Sequence, residues 1–416
     1  MKGASERGVR AGDTLPQRLL LTCLHRDIAR SDPASLAALD EIGWQAMLSL
    51  AKVHGVRPLL YQRLVDIGLQ PRVPSNVWSA LALAARQAAA RTLRAQTELA
   101  ALAASLAAEN IPVIALKGGY LAPQVYASPA LREMSDLDLL VRRIDLRRAA
   151  DVVLSKGYAP VRPFQAENDA AVSHHVTRLV KAGAFGVEIH WSVTKPHQVY
   201  SIDPAPLWQS AVTVDIAGAR MHALVPEHLL LHLCLHVSYQ HWFEFGLRPL
   251  CDIATTIERF GTQFDWRLFE REARAWKWTR GVQLALRLAQ DMVGASVPGD
   301  VIGSFAAEDH DVVQAARAQV FLAQPKPEES HDFSRLWTVP GFRAKARLLW
   351  QRLTPPRSDI APGGTRAPGW AFAYLRRTVT LALKYGGPAL RLLGREREIT
   401  AVAERRECLR VWLLEM

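Results

Sequence analysis

The N-terminal part of the chain has the apolar spacing of α-helices. Across residues 15–110, apolar residues recur at three- and four-residue intervals, which places them on one helical face. Trp44–Ala51 is one such segment. Pro74 is expected to start a second, long helix, because neither Gly nor Pro interrupts residues 75–109. We therefore predict a helical N-terminal region over residues 15–110, preceded by a disordered stretch at 1–14.

The pattern changes after residue 110 to short apolar runs separated by turn signals. Residues 111–116 form an uncharged apolar run typical of a buried strand, and Lys117-Gly118-Gly119 ends it. Alternating residues on either side of Ala182-Gly183 predict a hairpin. The elements predicted for this segment are a strand at 111–116, a helix at 119–127, a strand at 136–142, a helix at 145–156, and hairpin strands at 173–181 and 184–193.

The chain is predicted to be helical again from Pro226 to about residue 323. A Pro- and Gly-rich loop at 355–369 separates a last basic helical stretch, Trp370–Leu393. The whole pattern predicts an α+β fold in which a small mixed β-sheet core is flanked by helical N-terminal and C-terminal regions. The predicted domains are the helical region at 15–110, the α/β core at 111–215, a helical domain at 216–325, and a basic helical C-terminal region at 326–416.

Composition is that of a globular protein, with 49% hydrophobic and 22% charged residues. No uncharged apolar run reaches the roughly 18–20 residues that a transmembrane helix needs, so we expect no membrane span. The N-terminal residues lack the apolar region of a signal peptide. Four scattered cysteines have no metal-binding spacing, which fits buried thiols in a reducing cytoplasm: Cys23, Cys234, Cys251 and Cys408. We therefore expect a cytoplasmic protein.

The formal net charge of +11 favours polyanionic partners. A basic surface attracts nucleotides, nucleic acid or anionic lipid, although an Arg-rich composition can also reflect the genome alone. Trp370–Leu381 mixes aromatic residues with Arg. This segment is consistent with a peripheral membrane contact, with nucleic-acid binding, or with a helix packed on the protein that has a solvated basic face.

Two carboxylates one residue apart are the strongest chemical signal in the chain. Asp136 and Asp138 open an apolar run, and the period of two of a β-strand puts both on one face. Such a pair can hold a divalent cation against a triphosphate, because hard cations take oxygen ligands. The alternative is a pair of exposed acids at a strand edge, paired with Arg142 or Arg143.

The glycine turn upstream of these acids is a candidate phosphate cradle. A strand that ends in Gly118-Gly119 and gives way to a helix leaves free backbone N–H groups at the helix start. Lys117 can bind phosphate as a point charge. The alternatives are that the glycines only supply a tight turn and that Lys117 only flanks the sheet.

A third carboxylate candidate lies in the alternating run Val187–Trp191. Glu188 and His190 share one face of this predicted strand. If the apolar residues between them pack inward, both side chains lie across from the Asp136 strand. Glu188 can instead be a solvent-facing strand residue. His190 is expected to contact substrate, to orient Glu188, or to be a buried histidine satisfied by a neighbour.

These segments, in this order, resemble the uncharacterised nucleotidyltransferase family of the polymerase-β-like superfamily. The resemblance covers most of the chain. It is carried by Leu116-Lys117-Gly118-Gly119, by Arg132-x-x-Ser135-Asp136-Leu137-Asp138-Leu139-Leu140-Val141, by Val187-Glu188-Ile189-His190-Trp191, and by the helical lead-in around residues 51–61.

The resemblance implies a metal-dependent enzyme. An acceptor hydroxyl would attack the α-phosphorus of an NTP and pyrophosphate would leave, with two Mg²⁺ (or Mn²⁺) ions held by the protein. The implied catalytic and metal-binding residues are Asp136, Asp138 and Glu188. The implied nucleotide-binding residues are Lys117, Gly118, Gly119, Arg132, Ser135 and His190.

The acceptor is expected to be a small molecule or a peptide or protein side chain rather than nucleic acid. Two other functions stay open at this point. One is a non-catalytic binding module, for instance an antitoxin-like regulator, although such a module has no need of three carboxylates. The other is an enzyme that adds nucleotides to RNA ends, for which the charge is suitable but no RNA-binding motif is present.

Three histidines form a stripe on the predicted helix after Pro226. His228, His232 and His236 are spaced by four residues, so they share a helical face. Two such histidines can bind zinc when a third ligand comes from elsewhere. A packed helix whose histidines have backbone or carboxylate partners explains the stripe as well. Arg248 and Asp252, also four apart, are expected to form an ion pair.

Overall fold

A computed structural model describes residues 13–26, 39–162, 170–171, 173–305, 309–322 and 396–414. Residues 1–12, the loop expected at 355–369 and the basic stretch Trp370–Leu393 lie outside the described residues. Within the described ranges the fold is α+β, as the sequence predicts: a seven-stranded mixed sheet with helical regions before and after it in the chain.

Among the described residues, four α-helices precede the sheet: α1 (Leu15–Leu24), α2 (Glu41–Val53), α3 (Arg57–Asp66) and α4 (Ser75–Ala108). Asp40 caps α2 by accepting a hydrogen bond from the backbone N–H of Gly43. Pro58 stands in the first turn of α3, where its missing N–H costs nothing.

The long helix α4 packs along the sheet core with a stripe of mostly small and apolar residues. Its buried positions recur with the helical period, and many of them are alanines, which allow neighbouring elements to approach closely. Helix α4 contacts α3 and β-strand β7 (Ala219–Ala223). It ends at residue 108, and Asn110 turns the chain with a positive φ of 56°.

The sheet holds seven strands in the order β3-β4-β5-β2-β1-β7-β6. The remaining six are β1 (Ile114–Ala115), β2 (Asp136–Leu140), β3 (Ala159–Pro160), β4 (Leu179–Val180), β5 (Gly186–His190) and β6 (Val212–Ile216). The pairs β2–β5 and β1–β7 are parallel, and the other neighbours are antiparallel.

Strand β1 is shorter than the strand predicted at 111–116. The backbone N–H of Ile111 still bonds to Leu106 O at the end of α4, and Pro112 has no N–H to offer a neighbouring strand. The hairpin β6–β7 does not follow from the sequence pattern above. It carries the sheet to residue 223, beyond the predicted core boundary at 215.

Ten further helices complete the described part of the chain. They are α5 (Lys117–Gln124), α6 (Leu146–Ser155), α7 (Ala205–Gln209), α8 (Pro226–Leu235), α9 (Arg248–Phe260), α10 (Trp266–Ala275), α11 (Thr279–Val293), α12 (Gly299–Gly303), α13 (His310–Phe321) and α14 (Glu396–Leu414). Helix α8 is buried on nearly all sides, and it contacts α9, α10 and α11. A π-helical turn, His236–Gln240, extends it.

The cysteines follow the expectation with one exception. Cys23, Cys234 and Cys251 are buried free thiols, but Cys408 is exposed on α14, so the expectation that all four are buried is wrong. Among the described helices, none is long and apolar enough to cross a membrane.

Candidate active site

The parallel pairing of β2 and β5 brings the predicted acidic residues to one face of the sheet. Asp138 lies directly opposite Glu188, two residues beyond the pair formed by Asp136 and Gly186, and Leu140 lies opposite His190. Alternate residues of a strand share a face, so all of these polar side chains project from the same side. The intervening Val187 and Ile189 are fully buried on the other side.

Asp138 is the buried centre of this group. One carboxylate oxygen, Oδ1, lies 2.8 Å from Lys117 Nζ and 3.0 Å from His190 Nε2. Burial would raise the pKa of Asp138, but the Lys117 ammonium and the His190 hydrogen bond hold it far below its usual range. Asp138 is therefore an ionised carboxylate at any ordinary pH. It pairs with Lys117 and not with Arg142 or Arg143, which lie over the Trp208 and Trp191 rings.

Glu188 has the opposite electrostatic setting. Burial and the neighbouring Asp138 carboxylate raise the pKa of Glu188 to about 7. Glu188 Oε2 lies 3.7 Å from His190 Nε2. Burial lowers the pKa of His190 to about 4, so its imidazole is neutral near pH 7. A neutral imidazole can act as a metal ligand.

Three side chains offer a set of ligand atoms for a metal ion. One ligand atom each from Asp138, Glu188 and His190 lies within 4.8 Å of the other two, and within the described residues this is the one such group of His, Cys, Asp and Glu. Two carboxylates and an imidazole suit Mg²⁺, Mn²⁺ or a later first-row ion. Burial and the nearby carboxylates raise the pKa of Glu188, and a bound cation would favour its ionised form. The residues present therefore fit a divalent metal ion.

Asp136 lies on the same face, nearer the surface, and outside that three-residue group. Its carboxylate is half-buried and accepts a hydrogen bond of 2.9 Å from the exposed Ser135 Oγ. It is close enough to Lys117 and Glu188 to raise the pKa of both. The structure thus brings the three predicted carboxylates to one face of the sheet, with Asp136 nearer the surface and Asp138 buried. Together with His190 they are called the acidic cluster below.

The glycine turn begins a helix, as predicted, but the helix starts at Lys117 rather than at residue 119. Lys117 has a left-handed backbone with φ of 43°, which is uncommon for a residue with a side chain and is often seen at functional sites. The backbone N–H of Leu116 donates to the carbonyl of Asp138 at 3.0 Å, so the turn is tied directly to the acidic strand. This conformation aims the ammonium at the carboxylate.

Both glycines are buried against the protein. An ideal Cβ on Gly118 would clash with the Arg132 guanidinium, and one on Gly119 would lie 3.2 Å from Leu99 Cδ2 on α4. Glycine is therefore needed at residue 118 so that Arg132 can approach. The backbone N–H of Gly119 already donates to the carbonyl of Leu116 at 3.1 Å, so it is not free for an anion. The contact of either glycine with phosphate stays a prediction.

Arg132 is buried in an ion pair with Asp252 of α9. Its Nε and Nη2 donate to the two carboxylate oxygens at 2.8 and 2.9 Å, and Tyr126 Oη donates to Asp252 Oδ1 at 2.8 Å. Asp252 thus takes Arg132 as its partner, whereas the sequence had suggested Arg248, which donates to the carbonyl of Glu133 at 3.4 Å. This pair joins the glycine turn to the helical domain. A direct contact of Arg132 with nucleotide stays a prediction.

Two histidines that sequence reasoning did not single out surround His190. The rings of His174 and His175 lie 5.3 and 5.1 Å from the His190 ring, measured between centroids. His175 also forms an antiparallel bridge with His190. The sequence could have indicated them, because they are adjacent histidines in the alternating run before β4. Their rings lie beside the acidic cluster.

The stripe of histidines on α8 is mostly a packing feature. His228 Nδ1 lies 3.0 Å from Ser210 Oγ, and its ring packs 5.0 Å from the Trp276 ring. His232 and His236 are in contact with each other, with ring centroids 6.4 Å apart. Burial lowers the pKa of all three. None of them belongs to the metal-ligand group found among the described residues.

Comparison with known proteins places the chain in a family. The model of a family described as "Uncharacterised nucleotidyltransferase" matches residues 40–294, more than half of the chain. The chain belongs to this nucleotidyltransferase family. No curated protein matches it. Among solved structures, it is similar to an antigenic nucleotidyltransferase-like protein from Paracoccidioides brasiliensis, with 18% identity, a TM-score of 0.28, and coverage of 47% of this chain and 93% of that chain.

Proposed function

We propose that the protein is a metal-dependent enzyme that moves a nucleoside monophosphate from an NTP to a hydroxyl acceptor. The observation that carries the proposal is the cluster of Asp138, Glu188 and His190 on adjacent parallel strands, with Asp136 at its rim. Membership of the nucleotidyltransferase family implies that one substrate is a nucleotide. Mg²⁺ and Mn²⁺ are the cations we expect.

The residues of the acidic cluster and Lys117 would have separate roles in such a reaction. A divalent ion bound here would bring positive charge to the phosphate oxygens and lower the pKa of the acceptor hydroxyl. Asp138 and Glu188 would hold it through oxygen, and His190 through a ring nitrogen. Asp136, nearer the surface, would meet the incoming nucleotide. Lys117 keeps Asp138 ionised and fixed, and its contact with phosphate stays a prediction.

The acceptor is proposed to be a small molecule or a peptide or protein side chain. The sequence has no recognisable RNA-binding motif, which favours such an acceptor over a nucleic-acid strand.

The test is incubation of the full chain with each α-³²P-labelled NTP, with Mg²⁺ or Mn²⁺, and with a cell extract as the source of acceptor. We expect label to move to a small molecule or a protein band with one of the NTPs, and no label to move with the Asp138→Asn variant. Nucleotide binding without transfer under all conditions would instead favour a non-catalytic binding module. Labelled RNA ends would favour the RNA-modifying alternative.

A further inference from the structure

The strand segment that leads into β4 carries one extra residue beside the acidic cluster. His175 bridges His190, and Leu179 pairs with Val187, both in antiparallel orientation. His175 and Leu179 are four residues apart, whereas their partners His190 and Val187 are only three residues apart. The extra residue is a β-bulge, which lies opposite Glu188 and re-aims the side chains next to it.

The bulge directs Arg178 across the neighbouring strand. Its guanidinium occupies the space that a side chain on Gly186 would fill: an ideal Cβ on Gly186 would lie 2.6 Å from Nη2 and 2.7 Å from Cζ. Gly186 lies opposite Asp136 and shares its face of β5 with Glu188. The guanidinium therefore lies over Gly186, on the side of the sheet where all three carboxylates project.

The guanidinium of Arg178 is available to a ligand. Its side chain is exposed, and no hydrogen-bond or ion-pair partner exists for the guanidinium within the part of the chain that the structure describes. Arg132, by contrast, is already ion-paired with Asp252, and Lys117 is already ion-paired with Asp138. Arg178 is close enough to Glu188 to offset part of the rise in the Glu188 pKa that burial and Asp138 cause.

We propose that Arg178 binds the terminal phosphates of the triphosphate, which leave as pyrophosphate, and that Gly186 is there to let it reach them. This inference rests on the proposed function. A planar guanidinium can donate two parallel hydrogen bonds to phosphate oxygens, and its charge does not depend on pH. The carboxylate cluster itself repels phosphate, so the outer phosphates need a cation that is not already paired.

The experiment measures binding of inorganic triphosphate, in the presence of Mn²⁺, to the full chain by calorimetry. This probe carries the phosphates without a base, so the unknown identity of the base does not matter. Arg178→Ala is expected to weaken binding about 10- to 100-fold, the effect of losing a hydrogen bond to a charged group. Gly186→Ala keeps the arginine but displaces its flexible end, and we expect a loss of similar size.

Lys181→Ala is the matched control. Lys181 lies three residues further along the same segment. Its ammonium donates to the carbonyl of Lys156 at 2.8 Å, away from the acidic cluster. Its loss should leave triphosphate binding unchanged. Binding of Mn²⁺ alone, followed by electron paramagnetic resonance, should be unchanged in both the Arg178→Ala and Gly186→Ala variants, because neither residue is in the ligand group.

Equal triphosphate affinity of Arg178→Ala and the unaltered protein would overturn the assignment, as would an equal loss in the Lys181→Ala control or the absence of triphosphate binding by the unaltered protein. The proposed function is judged separately by the transfer of label from NTP. If label transfer proceeds while Arg178→Ala keeps full affinity, only the role of Arg178 fails. If Gly186→Ala does not fold, Arg178→Ala, which alters an exposed side chain, decides alone.

Discussion

Two buried ion pairs lie on either side of the glycine turn, and they differ in how well their charges are balanced. Arg132 and Asp252 form a bidentate pair to which Tyr126 adds a further hydrogen bond. Lys117 and Asp138 also approach to 2.8 Å, but Glu188 and Asp136 stand beside them with no Lys or Arg ion-pair partner of their own among the described residues. The first pair is neutral and complete, whereas the second belongs to a cluster with surplus negative charge.

The difference separates a structural pair from a candidate catalytic one. A buried ion pair is tolerated when its charges and hydrogen bonds are satisfied, and leaving one partner alone is costly. Burial and the neighbouring carboxylates make the ionised form of Glu188 costly to the folded protein, as its raised pKa records. Such a cost is expected where a cation from solution completes the charge balance. The comparison predicts that neutralising Glu188 stabilises the folded protein, whereas breaking the Arg132–Asp252 pair destabilises it.

Asp138→Asn should have the largest effect, and on activity. The substitution keeps the shape of the side chain but removes the most buried ligand charge, so we expect transfer to fall at least about 1,000-fold, in line with several kcal/mol of lost charge stabilisation. Mn²⁺ affinity measured by paramagnetic resonance should fall with it. Transfer at the level of the unaltered protein would return Asp138 to a purely structural role.

Arg132→Ala should have the largest effect on stability. It leaves the Asp252 carboxylate buried without its partner, and we expect a loss of about 3–5 kcal/mol in the free energy of unfolding, measured with urea. The double variant Arg132→Met, Asp252→Leu should recover much of that loss, because it leaves no buried charge. A variant Arg132→Ala that stays stable but no longer binds nucleotide would contradict the structural reading and support the nucleotide contact predicted from the sequence.

The sequence predicted the fold class and the acidic face of the sheet because both depend on local periodicity. The period of two in Asp136–Val141 and Val187–Trp191 was enough to put the acids on one side. The partner of Arg132 was not predictable, since Asp252 is 120 residues away in the chain and no local pattern encodes that contact.

Two other features were missed for related reasons. The hairpin β6–β7 has exposed residues at several positions, so its alternation is weak. The bulge before β4 depends on how two strands are aligned, which is visible only once both are paired. Arg178 and Gly186 therefore gave no signal in the sequence, although they lie on the same face as residues that did.

Glu188→Gln should raise stability while it abolishes transfer. A carboxyl group whose pKa is raised from 4.5 unfolded to about 7 folded binds protons better in the folded state, so its destabilising effect grows as pH rises through that interval. In a chelator at pH 8, we expect the variant to be about 2–3 kcal/mol more stable to urea than the unaltered protein, and the two to converge below pH 4.5. A less stable variant at pH 8 would show that Glu188 is already balanced by the protein.

His54 provides a test of whether a buried polar side chain without a partner marks, by that fact alone, a functional residue. Its side chain is buried at the end of α2, its ring packs edge-on against Phe321, and neither ring nitrogen has a hydrogen-bond partner among the described residues. Burial lowers the pKa of His54 to about 4. The unfolded chain therefore takes up the proton first, and stability is lost as pH falls from about 6.5 towards 4.

Replacing His54 by Leu removes that proton uptake. Between pH 6.5 and 5.5, we expect the unaltered protein to lose about 1 kcal/mol more stability to urea than the His54→Leu variant does, since one group contributes at most about 1.4 kcal/mol per pH unit. Transfer activity at pH 7.5 should be the same in both proteins, because His54 stands outside the acidic cluster. A loss of transfer in a fully folded His54→Leu variant would mean that a single buried side chain without a hydrogen-bond partner can matter for function. Surplus charge in a cluster would then not be what distinguishes the Asp138 pair from the Arg132 pair.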